Sequence, residues 1–130
     1  MDEHDRFNQG MSVRRKVLGD AHVDRAQSNR NEFNDEFQDL ITRYAWGEIW
    51  TRPDLPQKTR SLITVALMVA LNRGDELALH LHAAFKNGIT RAEIKEVLLQ
   101  TAIYCGVPAA NSAFHITEQV LAETDQKPQP

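Results

Sequence analysis

Cysteine is nearly absent from this 130-residue chain, where Cys105 stands alone. A single thiol excludes an intrachain disulfide and any cysteine-based zinc site. An excess of positive charge is missing too: 15 Lys and Arg face 18 Asp and Glu, for a formal net charge of −3. With no basic stripe to displace counterions from phosphates, a nucleic-acid partner is excluded. No uncharged apolar run approaches the roughly 18–20 residues that span a bilayer, the longest near-apolar piece being Ser61 to Asn72. The N-terminus lacks a basic-then-apolar signal segment, so the expected location is cytoplasmic. There is no glycine-rich phosphate loop and no stretch alternating with period two, which leaves an all-α class. The length suits a single domain over residues 1–125, followed by a polar, proline-bearing tail at 126–130 expected to be disordered.

The residues that are present fall into about six helical segments. Residues from His4 to Leu18 form a helix expected to break near Gly10 and to end at Gly19-Asp20. Asp24 to Arg30 is polar and reads as a connection, with Asn31 a cap for the next helix. Glu32 to Trp50 places Phe33, Phe37, Leu40, Ile41, Tyr44, Ala45 and Ile49 on one helical face, with Trp46 and Trp50 in a second row. Pro53 and Pro56 mark a loop into a helix over Lys58 to Asn72 that is apolar nearly all round. Such a helix is buried on most sides, by its own domain or by a neighbouring subunit.

The next segment, Asp75 to Thr90, organises the rest. Asp75 and Glu76 favour its positive end, Gly88 stops it, and Thr90-Arg91-Ala92-Glu93 is a capping box for the helix after it. Arg91 to Cys105 keeps helical spacing, Gly106-Val107-Pro108 interrupts, and a last helix covers Ala109 to Ala122. His80 and His82 lie mid-segment, two apart and so roughly 200° from each other on a helix, which prevents them from sharing one metal. Glu76 and His80, four apart, share a face, where a carboxylate can hold one ring nitrogen and free the other for proton transfer. The competing reading is a hydrogen-bonded structural histidine. Trp46 and Trp50 serve either packing or a pocket wall, and Arg60 either a helix-end salt bridge or a carboxylate anchor. Cys105 is expected to be a small buried residue rather than a nucleophile.

The pattern His80-x3-Ala84-x3-Gly88-Ile89-Thr90, following Lys58-Thr59-Arg60 and a buried helix, resembles the carboxymuconolactone decarboxylase family, which shares the alkylhydroperoxidase D-like fold. Further blocks carry the likeness: Gly19-Asp20-Ala21-His22-Val23-Asp24, Tyr44-Ala45-Trp46-Gly47-Glu48-Ile49-Trp50, Lys58-Thr59-Arg60-Ser61-Leu62, Glu96-Val97-Leu98-Leu99-Gln100 and Tyr104-Cys105-Gly106-Val107-Pro108-Ala109-Ala110. Together they cover about residues 13 to 122. Peroxidase-type relatives use a glutamate, two cysteines and a histidine. Here those positions fall on Ser61, Arg73, Glu76 and His80, so without a thiolate neither peroxide reduction nor disulfide exchange is available there.

The resemblance implies decarboxylation of γ-carboxymuconolactone to β-ketoadipate enol-lactone in protocatechuate breakdown. The lactone is its own electron sink, so no metal or organic cofactor is implied. The protein would supply a cation for the acetate arm, donors for the developing oxyanion and a proton. On this reading His80 is acid and oxyanion donor, Glu76 orients it, Arg60 anchors a carboxylate, and Trp46 and Trp50 wall the pocket. The family likeness also implies a homo-oligomer, a trimer or hexamer. Rival readings are another lactone decarboxylase or isomerase on the same scaffold, and a non-catalytic oligomeric module.

Overall fold

The computed structural model describes residues Met1–Thr124; the expected tail at 126–130 lies outside them. The described residues form seven α-helices and one π-helix, with no strand among them. No helix among them is long and apolar enough to cross a membrane. The chain falls into two compact units, Met1–Gln57 and a second from Lys58 onward.

The N-terminal unit opens with α1 (Glu3–Leu18), capped by the Asp2 carboxylate, which accepts from the Asp5 amide at 2.8 Å. Contrary to the expected break, α1 runs straight through Gly10. That glycine is a contact point. A Cβ there would lie 1.9 Å from the Thr42 carbonyl oxygen and 2.8 Å from the Gly47 nitrogen. The facing segment is the π-helix Ile41–Ile49, entered from α3 (Asp35–Leu40). Its wider turn is visible in the Trp50 amide donating to the Ala45 carbonyl at 3.0 Å, five residues back. Gly47 completes the close approach, since a Cβ there would meet the Arg6 carbonyl oxygen at 2.3 Å. Two glycines thus let two backbones touch.

This contact also corrects the expected core face of residues 32–50. Phe33 is 97% exposed, and Phe37, Leu40, Tyr44 and Ile49 are exposed as well, while Trp46, Thr42 and Gly47 are buried. The glycine contact, rather than the larger number of apolar side chains, decides which side of the π-helix turns inward. A second correction concerns the expected polar connection. Asp20–Ser28 forms α2, with Val23 fully buried, and Arg15 bridging to Asp20 and Asp24 at 3.1 and 2.8 Å. Asn31 closes the turn before α3 rather than capping the helix: its Oδ1 accepts from the Phe33 and Asn34 amides, and the residue at the N-cap is Asn34.

The second unit comprises α4 (Gln57–Ala70), α5 (Gly74–Lys86), α6 (Arg91–Tyr104) and α7 (Val107–Thr124). Gly88 (φ 90°) terminates α5 where a left-handed residue is required, and the Thr90–Glu93 capping box is formed in full. The core is built from Val65, Val69, Leu77, Leu81, Ile94 and Leu98, with Ala113 and Val120 of α7 closing it. His82 joins α5 to α7 through Glu123 at 3.2 Å. α4 buries Ser61, Val65 and Val69 but leaves Ile63 and Leu67 exposed, so the described residues cover only one of its sides.

Candidate active site

His80 projects from the middle of α5, beside the row Leu77–Leu81–Ala84 that buries the helix against the core. Its side chain is 13% exposed, so the ring meets little solvent. Glu76 lies one turn earlier with Oε2 3.9 Å from His80 Nε2. That separation is too long for a hydrogen bond and short enough for a charge contact with a protonated ring. The Glu76 side chain is 59% exposed, which screens the contact. The structure therefore brings these two residues within ion-pair distance of each other, without a direct hydrogen bond between them.

Arg60 stands in the first turn of α4, partly buried, with its carbonyl accepting from Thr64 Oγ1 at 2.8 Å. A guanidinium at the positive end of a helix favours an anion. Lys58 in the same turn lies 3.0 Å from Glu93. Hydrogen bonds from Thr90, its amide first, and then Lys58 hold the Glu93 carboxyl below the usual carboxylate range. Arg60, Glu76 and His80 all belong to the second unit.

Trp46 and Trp50 belong to the N-terminal unit and stack as their spacing requires, with centroids 4.8 Å apart and planes at 29°. The same unit holds a residue that spacing alone did not single out. Arg14 of α1 is only 4% exposed. Its Nη1 donates to Thr42 Oγ1 at 3.4 Å and its Nη2 to Gln38 Oε1 at 3.2 Å, both neutral acceptors. Burial pushes its guanidinium down from the ordinary arginine value, helped by the like charges of Arg30 and Arg15. The only sequence signal was its place on the inner row of α1 with Gly10 and Val17.

Ser61 is buried in α4, Arg73 stands at the N-cap of α5 and Glu76 lies in its first turn. Cys105 is exposed, not buried as expected, because it sits at the C-terminal cap of α6 where the chain turns at Gly106. No group of three or more His, Cys, Asp or Glu among the described residues is placed to hold a metal ion.

The sequence profile of the carboxymuconolactone decarboxylase family matches residues 35–119. The chain belongs to that family. Among its relatives, the 4-carboxymuconolactone decarboxylase of Acinetobacter baylyi is 48% identical over 129 residues, covering 99% of this chain and 96% of the relative. A nitrosuccinic acid decarboxylase of Metarhizium robertsii is 40% identical over 121 residues, 93% of this chain and 85% of the relative. A 48-residue 4-carboxymuconolactone decarboxylase sequence from Pseudomonas putida is 60% identical along its whole length, 37% of this chain. The family match covers α5 completely, and with it the His80–Glu76 pair, as well as the π-helix and Arg60.

Proposed function

We propose that this protein is a carboxy-lyase that converts γ-carboxymuconolactone to β-ketoadipate enol-lactone and CO2 in the breakdown of protocatechuate. The observation that carries this reading is near-full-length similarity to a protein named for that decarboxylation, at 48% identity. The single-domain reading of residues 1–125 is part of the proposal: both units serve one catalytic domain. The protein acts in the cytoplasm as a homo-oligomer, a trimer or hexamer, on a small lactone.

The chemistry sets the roles. The ring carbon of the substrate bears both the departing carboxylate and an acetate arm, and is conjugated through a double bond to the lactone carbonyl. When the carbon–carboxylate bond breaks, its electron pair moves into the ring and out to the carbonyl oxygen as a dienolate. A proton delivered to the carbon next to that carbonyl restores the lactone and leaves the double bond at the former carboxylate-bearing carbon. One proton is consumed and one CO2 released. No external electron acceptor is needed.

His80 is the proposed proton source and oxyanion donor. Its low exposure strengthens its interaction with developing charge, and Glu76 lies 3.9 Å away on the same face of α5. Arg60 is the proposed partner for the acetate carboxylate, as a guanidinium binds carboxylates through two parallel hydrogen bonds. The test is substitution: His80→Ala should lower kcat and Arg60→Lys should raise KM. Turnover of His80→Ala within about threefold of wild type would remove His80 from the mechanism.

A second reading has its own support in the relative named for nitrosuccinic acid. In a nitro-substituted succinate, one carbon carries a carboxylate, an acetate arm and a nitro group that accepts the electron pair as a nitronate. The demands on the protein are the same: a held arm, a stabilised anion and a returned proton. Offering both substrates to one preparation decides between them by the ratio of kcat/KM.

A further inference from the structure

We propose that the cleft between α6 and α7 binds a single-ring aromatic carboxylate, at a place separate from the His80 site. The inference stands on this cleft alone and needs no part of the reaction proposed above. Arg91, Ile94, Lys95 and Leu98 follow one another along α6 at steps of three and four or less, and Phe114, Thr117, Glu118 and Leu121 do the same along α7. Each row therefore lies on one side of its helix. Together with Phe85 of α5, the two rows line a space of about 170 Å³. Ile94 and Leu98, each 1% exposed, belong to the core, and Phe85 and Phe114 are half-buried against it. Thr117 donates its hydroxyl to the Ala113 carbonyl at 2.7 Å, so it brings no free donor to the space. Arg60, Glu76 and His80 are not among the lining residues.

Size and charge together select the ligand. A cavity of ~150 Å³ walled by Leu, Ile and Phe takes up one benzene ring. A space of about 170 Å³ therefore holds one ring and its attachment, and is too short for a long acyl chain. Two phenylalanines offer that ring edge-to-face or offset contacts. A sugar would leave its hydroxyls without partners against walls this apolar. The charged groups decide the rest. Arg91 and Lys95, one turn apart on α6, line the same space as Glu118 on α7, which makes two cations to one carboxylate in a chain of formal charge −3. Lys95 and Glu118 are exposed, so these charges stand at the mouth and not on the floor. Arg91 is the first residue of α6, whose positive end favours an anion further. A carboxylate carried by a ring on the apolar floor meets a guanidinium and an ammonium at the mouth. An amine in its place would be repelled, and a plain hydrocarbon would leave both cations unused.

Fluorine NMR reads the binding directly. The probe is 4-fluorobenzoate, with fluorobenzene as the ring without the charge and trifluoroacetate as the charge without the ring. Each is titrated against wild type, Lys95→Glu, Glu118→Gln and Arg60→Lys. Wild type is expected to shift and broaden the 4-fluorobenzoate signal saturably, with an affinity about tenfold or more above that for either fragment. Lys95→Glu should weaken that affinity about tenfold, and Glu118→Gln should tighten it about two- to fivefold. Both side chains are exposed, so neither change disturbs the core, and a tightening is not what a misfolded variant produces. Arg60→Lys should leave the affinity unchanged, which separates this cleft from the proposed acetate anchor. No saturable change in wild type, an equal affinity for fluorobenzene, or an affinity that Lys95→Glu leaves within about twofold of wild type overturns the assignment. An affinity lost in Arg60→Lys overturns it too, since the probe would then sit at the other site.

Discussion

Replacing Gly10 with alanine should destabilise the N-terminal unit strongly. The new Cβ would sit 1.9 Å from the Thr42 carbonyl oxygen, 2.8 Å from the Gly47 nitrogen and 3.0 Å from the Gly47 Cα. All three are backbone atoms, so no side chain can swing aside; α1 and the π-helix must separate by roughly an ångström or more. Overpacking of that kind costs about 1–3 kcal/mol and sometimes more. Separation also lengthens the Arg14–Thr42 hydrogen bond, already 3.4 Å, beyond useful reach. A buried cation that loses an acceptor costs a further ~1–3 kcal/mol. Against this stands a helix-propensity gain of about 1 kcal/mol for alanine over glycine. The net expectation is a loss of roughly 1–5 kcal/mol, the remainder of those three terms. Both tryptophans of the chain, Trp46 and Trp50, lie in this unit, so urea unfolding followed by tryptophan fluorescence reads it directly. Gly74→Ala is the control. At Gly74 the nearest atom to an added Cβ is Ile116 Cδ1 at 3.4 Å, and the substitution should be neutral or stabilising by up to about 1 kcal/mol. A Gly10→Ala protein within about 0.5 kcal/mol of wild type would refute the close-approach reasoning.

Other perturbations draw on the same geometry. His80→Ala should reduce turnover by roughly 10²–10⁴-fold, the usual span for a lost general acid, while the screened 3.9 Å contact predicts a much smaller change for Glu76→Gln, checked by steady-state kinetics. Gln38→Leu leaves the Arg14 guanidinium one acceptor and should lower stability by about 1–3 kcal/mol in urea titration, whereas Arg14→Met, which removes the buried charge itself, should be near neutral. Thr90→Ala breaks the cap of α6 and should cost about 0.5–2 kcal/mol, read in the same titration. Because the folded Glu93 carboxyl is held below its ordinary range, its contribution is complete above the unfolded pKa and disappears as pH falls through the folded one. Unfolding curves of wild type and Glu93→Gln should therefore differ near neutrality and converge in acid.

The parts of the fold that depend on local chemistry were legible in the sequence. Gly88, Thr90 and Glu93 mark the end of one helix and the start of the next by backbone and capping rules that act over four residues, and α5 and α6 lie where those signals put them. The four-residue spacing of Glu76 and His80, and of Trp46 and Trp50, likewise gave real neighbours. The illegible parts depend on contacts between distant residues. The inward side of the π-helix is set by Gly10 meeting Gly47, 37 residues later, and apolar side chains occur on both of its faces, so counting them chose the wrong one. α2 escaped notice because a single valine, Val23, is its only buried residue in a polar sequence. Arg14 reads as an ordinary surface arginine until α1 is laid against Gln38 and Thr42. Cys105 was misplaced for a related reason: residue type favours burial, but the turn at Gly106 places it at a helix end, on the face left open in one chain.

The reaction itself can be followed with both products in view. Purified protein treated with chelator and desalted is mixed with γ-carboxymuconolactone, while CO2 release and enol-lactone formation are monitored together. Matching amounts of both products are expected at a sustained catalytic rate, without added metal or cofactor, with loss of that rate in the His80→Ala protein. A folded preparation that releases no CO2, or turns over equally well without the His80 imidazole, would contradict it.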